Sequence, residues 1–154
     1  MSRRGEIQLS PDEQRGLIES ERIVVVSTMG PRGWPHSMPL WYVPRGGDIW
    51  IYTYAKSQKV RNLERDPRAT LLVETGHEYG ELRGVEIEAD AEIHFDHDTV
   101  FDLAKELTGR YAGGAEVDET QAEVLRAQVP KRVAVRFEPR RIATWDHRKL
   151  GGRY

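Results

Sequence analysis

The chain has 154 residues, with 23 Lys and Arg against 25 Asp and Glu, a formal net charge of -2 and no cysteine. That balance lacks the basic excess of a dedicated nucleic-acid binder, the missing cysteines exclude disulfides and thiolate metal sites, and no apolar run reaches the ~18 residues of a membrane span. The length suits one domain over residues 1–154, and the charged start MSRRGEIQ is followed by no signal-peptide core, so a cytoplasmic location is the default expectation.

Ser10-Pro11-Asp12-Glu13 reads as a capping box with proline at the first helical position, opening a helix to about Ser20. Arg22 to Met29 follows as a strand whose IVVV core predicts burial on both faces. Gly30 to Gly33 is a turn by composition, and Pro35 to Val43 is the returning strand. Pro39 lies inside it and has no N–H for a ladder, which predicts an open edge or a bulge there. Pro44-Arg45-Gly46-Gly47 is the next turn.

Ile49 to Tyr54 is β-branched and aromatic without a break, as expected of a strand covered on both faces. Ser57 then sits at an N-cap, its hydroxyl placed to accept from the first turn of a helix over Gln58 to Arg65. Asp66-Pro67 ends that helix, because the residue before proline is pushed out of the α region. From Lys56 to Arg68 five basic side chains face two acidic ones, about +3 in a chain of net charge -2. A cap hydroxyl, orphan helix N–H groups and Lys59 make a phosphate seat.

A strand runs on to Val73, then a loop over Thr75 to Gly80 leads into the clearest period-2 signal in the chain. There Val85, Ile87, Ala89, Ala91 and Ile93 alternate with Glu86, Glu88, Asp90 and Glu92. Asp98 begins a helix ending near Tyr111 before Gly113-Gly114, and Thr120 caps a shorter one stopped before Pro130. Arg132 to Phe137 alternates again, Pro139 interrupts, and Arg140 to Trp145 is a last strand before the tail. The sum is a mainly β (α+β) chain: an antiparallel barrel of six to seven strands with short peripheral helices. The strands with two apolar faces, Ile23 to Val26 and Ile49 to Tyr54, call for a covering partner, hence a homodimer.

No G-x-S-x-G elbow, P-loop or G-x-G-x-x-G is present, and no catalytic residue is assigned. The five histidines (His36, His77, His94, His97, His147) are scattered, so no metal site is expected. Trp50 and Tyr52 read as core, whereas Trp41, beside Pro39 on the irregular strand, suits the lining of a ligand slot.

The segments HSMPLWY, IYTYAKSQKVRNLERDPRATLLV, GVEIEADAEI and RIATWDHR, in that order, resemble the split β-barrel superfamily of pyridoxamine 5'-phosphate oxidase, which includes FMN enzymes and reductases that use the deazaflavin coenzyme F-420. The resemblance implies a homodimeric split barrel with a cofactor at each subunit interface. It implies that Ser57 and Lys59, with Gln58, Arg61 and Asn62 close by, meet the cofactor phosphate. Thr53 and the strand residues Ser37, Met38, Pro39 and Trp41 would border the ring system. The chain departs from the oxidase proper at Ser37, where the family has an arginine for the FMN phosphate, and at Tyr42, where it has a lysine for the substrate phosphate. Trp145 and Arg148 echo its carboxy-terminal tryptophan and arginine with different spacing. These departures point away from pyridoxamine phosphate oxidation, while the basic helix suits the long polyanionic tail of F-420 and so an F-420-dependent reductase acting on a small molecule, with an FMN oxidoreductase as the alternative. A different class is a barrel that binds flavin, deazaflavin or haem without turnover.

Overall fold

Ser10 opens helix α1 (Pro11–Ser20): its hydroxyl accepts from Glu13 N, and the Glu13 carboxylate accepts from Ser10 N, closing the capping box read from the sequence. The computed structural model describes residues 5–152, and in chain order continues through strands β1 (Val24–Met29), β2 (Pro35–Leu40), β3 (Val43–Arg45) and β4 (Asp48–Tyr54), helix α2 (Gln58–Arg65), strands β5 (Arg68–Thr75) and β6 (Arg83–His94), helices α3 (His97–Tyr111) and α4 (Glu119–Gln128), and strand β7 (Arg132–Asp146). The seven strands form one antiparallel sheet in the order β2-β1-β5-β6-β7-β4-β3, curled into a half-barrel. Long strands such as β6 and β7 twist, and the twist curls the sheet.

Alternation along the strands separates two cores. Val24 and Val26, Ile49 and Ile51, Leu71 and Val73, Val85 and Ile87, and Val133, Val135 and Phe137 fill the inside of the curl, with Val60 and Leu63 of α2 among them. On the outer face, Trp50 and Tyr52 of β4 pack with Val43, Val100, Leu103, Val129 and Ala134 beneath α3. The second apolar face of Ile49 to Tyr54 is therefore covered by the chain's own helix, which corrects the expectation that this strand needs a partner. Of the ten large apolar side chains left exposed among the described residues, five lie around β1 and β2 (Ile23, Met29, Trp34, Met38 and Trp41), and Tyr54, Tyr79, Phe95, Val124 and Ile142 are spread over other elements.

At Pro39 the expected open edge is found, and three other local readings are corrected: the turn at Pro44, the break at Pro139 and the helix starts. The turn expected at Pro44 to Gly47 is only the Gly46-Gly47 pair, at φ 55° and 92°, because Pro44 and Arg45 belong to β3 and pair with Ile49 and Asp48. Pro39 sits on the sheet's edge strand, but in unbroken register opposite Val25, so the edge alone absorbs its missing donor. Pro139 does not divide the last strand. β7 runs through it, and the register with β6 slips there, so that Glu88 faces Arg141 while Ala89 faces Pro139. The helix after β6 is capped by Asp96 and α4 by Asp118, each two residues before the start read from sequence.

The carboxy-terminal segment is fastened to the amino-terminal one. Asp146 N donates to Ile7 O at 2.7 Å, Leu9 N to Thr144 Oγ1 at 3.0 Å, and Lys149 Nζ to Gln8 O and Glu13 at 2.7 Å each. No described helix is long and apolar enough to cross a membrane.

Candidate functional site

The chain's odd chemistry gathers where α2 meets the ends of β1 and β4. Alternation turns Thr28 and Thr53 toward the inside of the curl, at positions whose other members are valine and isoleucine. α2 lowers two polar side chains, three residues apart on one helical face, onto these hydroxyls. Lys59 Nζ donates to Thr53 Oγ1 at 3.0 Å, and Asn62 Nδ2 donates to Thr28 Oγ1 at 3.0 Å. Asn62 is fully buried, and its Oδ1 accepts from Gln58 Nε2 at 2.8 Å and Arg65 at 3.3 Å. This network fixes α2 against the barrel, since each buried polar group in it has a partner.

Lys59 is 7% exposed, and among the described residues no carboxylate lies within ion-pairing distance of it. Burial alone pushes its ammonium below the usual lysine range. A buried cation held by one neutral hydroxyl is half of an ion pair. Beside it, the Ser57 backbone has cap geometry (φ -68°, ψ 154°), but its side chain makes no cap bond, contrary to the sequence expectation. Its Oγ is buried without a partner. A free hydroxyl, uncapped first-turn N–H groups and an uncompensated ammonium fit a phosphate.

Of the ten residues singled out for a cofactor, the structure brings Thr53, Ser57, Gln58, Lys59 and Asn62 together. Arg61 stands one turn beyond Ser57 on the exposed side of α2. The strand candidates are divided by the pleat. Ser37 and Pro39 face outward, Ser37 Oγ lying 2.7 Å from Ser27 Oγ. Met38 faces inward opposite Val26, and is 40% exposed because β2 is an edge. Trp41 has left the strand and stacks on Tyr111 with ring centroids 4.2 Å apart and an interplanar angle of 13°. Tyr42 is fully buried, its hydroxyl donating to main-chain oxygens at the end of α1, so it is a structural tie at the place of a substrate lysine. Trp145 packs on Gly84 across β6 and β7, and Arg148 is taken up by the buried Asp146.

Sequence reasoning missed Thr28 and His36. The signal for Thr28 was present: it follows Val24 and Val26 at period 2, so a polar side chain was due at a core position. His36, its cross-strand partner, keeps Nδ1 buried and unpartnered. A groove of about 740 Å³ lies on the outer sheet face, lined by Ser27, Pro35, Arg68, Thr70, Glu88 and Arg140 among others, and by none of the ten. Among the described residues no group of three or more histidine or acidic side chains is placed to hold a metal ion.

A family model described as pyridoxamine 5'-phosphate oxidase matches residues 10–146. The structure is similar to that of the conserved hypothetical protein Rv2991 from Mycobacterium tuberculosis, with 38% identity, coverage of 100% of this chain and 95% of that one, and a TM-score of 0.89. It is also similar to an F-420 reductase (24% identity, 87% and 98% coverage, TM-score 0.67). A third similar structure is HutZ, the haem storage protein of Vibrio cholerae (13% identity, 87% and 94% coverage, TM-score 0.68). At those identities the last two share the fold alone. No curated protein matches the chain.

Proposed function

The chain belongs to the pyridoxamine 5'-phosphate oxidase family, and on that premise we propose that it is an oxidoreductase holding the phosphate of a flavin-type cofactor at Ser57 and Lys59, with coenzyme F-420 rather than FMN as that cofactor. The observation that carries the reading is Lys59: a buried ammonium with a threonine hydroxyl on one side and no counter-charge among the described residues. Such a group is stable in the fold only at a cost, and an anionic ligand removes that cost. When bound, a flavin or deazaflavin supplies the hydride chemistry. The chain's own work is positional. Thr53 orients Nζ, the Ser57 hydroxyl is free to donate, and the Gln58–Asn62–Thr28 chain keeps the seat rigid.

The preference for F-420 rests on charge beyond one phosphate. Of the basic residues around the seat, Arg68 is spent on Asp66 and Arg65 on Met29 O, whereas Lys56 and Arg61 are exposed and form no ion pair among the described residues. F-420 continues past its phosphate into a tail of carboxylates, and FMN does not. Exposed cations contribute about 0.2 to 1 kcal/mol each and are screened by salt. Competitive titration at low and high ionic strength therefore tests the assignment: F-420 binds more tightly than FMN, and its advantage shrinks as salt rises. Tighter FMN binding at both salt concentrations makes an FMN oxidoreductase the better reading.

The exposed apolar group Ile23, Met29, Trp34, Met38 and Trp41 supports a homodimer formed through the β1–β2 region. Sedimentation equilibrium at micromolar concentration is expected to give twice the 17.7 kDa of one chain. A monomer at that concentration refutes the dimer.

A further inference from the structure

β7 carries four arginines, and three of them are paired: Arg136 with Asp48, Arg140 with Asp90 and Arg141 with Glu88. Arg132, at the start of the strand, has no carboxylate partner among the described residues. It lies instead on aromatic faces. Its Cζ is 3.4 Å from the ring centroid of Tyr54, the residue opposite it on β4, and 5.1 Å from that of Tyr52, two residues back on the same face. Its Nε and the Tyr52 hydroxyl are both buried without partners. A guanidinium stacked by its flat face keeps its N–H edge free, and that edge matches the two oxygens of a carboxylate or a phosphate.

The neighbours have the same sign. Lys131 and Lys56 are exposed and unpaired among the described residues, and the two segments are tied by Ala55 N donating to Lys131 O at 3.0 Å. Burial raises the Tyr52 hydroxyl above the usual tyrosine range, so it stays protonated and able to donate.

We propose that Arg132, lying over the rings of Tyr54 and Tyr52 with the exposed Lys56 and Lys131 on the adjoining segments, is a second anion-binding site that takes a carboxylate or phosphate group separate from the one held at Lys59. The anion is either the far end of the ligand seated at Lys59, in which case this inference rests on the cofactor reading, or a free small anion. A stacked arginine that serves the fold alone requires neither the unpaired lysines beside it nor an unpartnered Nε.

Calorimetric titration of the wild type and Arg132→Gln with F-420, FMN and citrate distinguishes the sources. If the site takes the far end of a long ligand, Arg132→Gln weakens F-420 about tenfold and leaves FMN within about twofold. If it takes a free anion, both cofactors are unaffected and citrate binding is lost in the variant. Unchanged binding of all three, or equal weakening of F-420 and FMN, overturns the proposal. Should the wild type take neither cofactor, the cofactor reading fails and the citrate arm alone decides: citrate lost in the variant supports the site, and equal citrate binding overturns it. Arg132→Lys, which keeps charge without the fork, gives intermediate affinity and replaces the glutamine variant if that one does not fold.

Discussion

Replacing Lys59 with methionine separates a ligand-binding lysine from a structural one. Methionine matches its length and apolar stem without the charge. The fold loses one charge-assisted bond, Lys59 Nζ to Thr53 Oγ1, at about 1.5 to 3 kcal/mol. It also escapes the desolvation of a buried, uncompensated ammonium, a cost of comparable size. Net stability is therefore expected to stay within about 1 kcal/mol of the wild type in urea denaturation. Binding of the proposed phosphate loses the buried cation of its seat and is expected to fall by about 1.5 to 3 kcal/mol, roughly ten- to hundredfold in Kd, read by fluorescence titration with FMN and F-420. The pH dependence has a fixed sign. Burial lowers the folded-state pKa, so the unfolded chain binds more protons as pH rises between the folded value and the ordinary lysine value of about 10.4, and stability climbs through that window. Methionine removes the climb. A variant that is strongly destabilised yet binds both cofactors with unchanged Kd refutes the phosphate seat and makes Lys59 a structural residue.

Gly84→Ala places a Cβ against the Trp145 indole across β6 and β7, and is expected to cost about 1 to 3 kcal/mol by thermal denaturation. An unchanged Tm would mean the ring does not pack there. Asp146 is buried, and the hydrogen bonds of Arg148 hold its carboxyl below the usual range. Its contribution is present above the ordinary aspartate value of about 3.9 and lost as pH falls through the lowered folded value, so Asp146→Asn flattens the acid limb of stability. Denaturation midpoints that run parallel for the two proteins from about pH 6 to about pH 2 contradict this.

The parts of the fold legible in the sequence were those where one local cause acts alone. The Ser10–Glu13 capping box, the stop at Asp66-Pro67 and the Val85 to Ile93 alternation all stand as read. Errors arose where tertiary context outweighed local chemistry. Pro44 and Pro139 read as breaks, yet an edge strand needs no inward donor at Pro44, and a register slip accommodates Pro139. Trp50 and Tyr52 made β4 look two-sided, and nothing in its own residues says that α3, some fifty positions on, supplies the cover.

For the candidate site, Ser57 and Lys59 were read as a phosphate seat from the cap and helix pattern and Asn62 was added by the family resemblance; the structure places all three at one short helix and its cap. The strand residues Ser37 to Trp41 were grouped as a run, and the pleat sends consecutive members to opposite faces. That alternation also constrains the ligand. Thr53 and Tyr54 are adjacent on β4 and face opposite sides, Thr53 meeting Lys59 within the curl and Tyr54 meeting Arg132 outside it. On the two proposals above, a molecule that engages both cations has to reach both faces of β4, whose end leads into the turn where Ser57 lies unpartnered and Lys56 is exposed. A ligand ending in a single phosphate fills one of the two positions. A longer, flexible polyanion can fill both, so a loss of F-420 affinity without a loss of FMN affinity in Arg132→Gln supports the proposed cofactor and the proposed second site together.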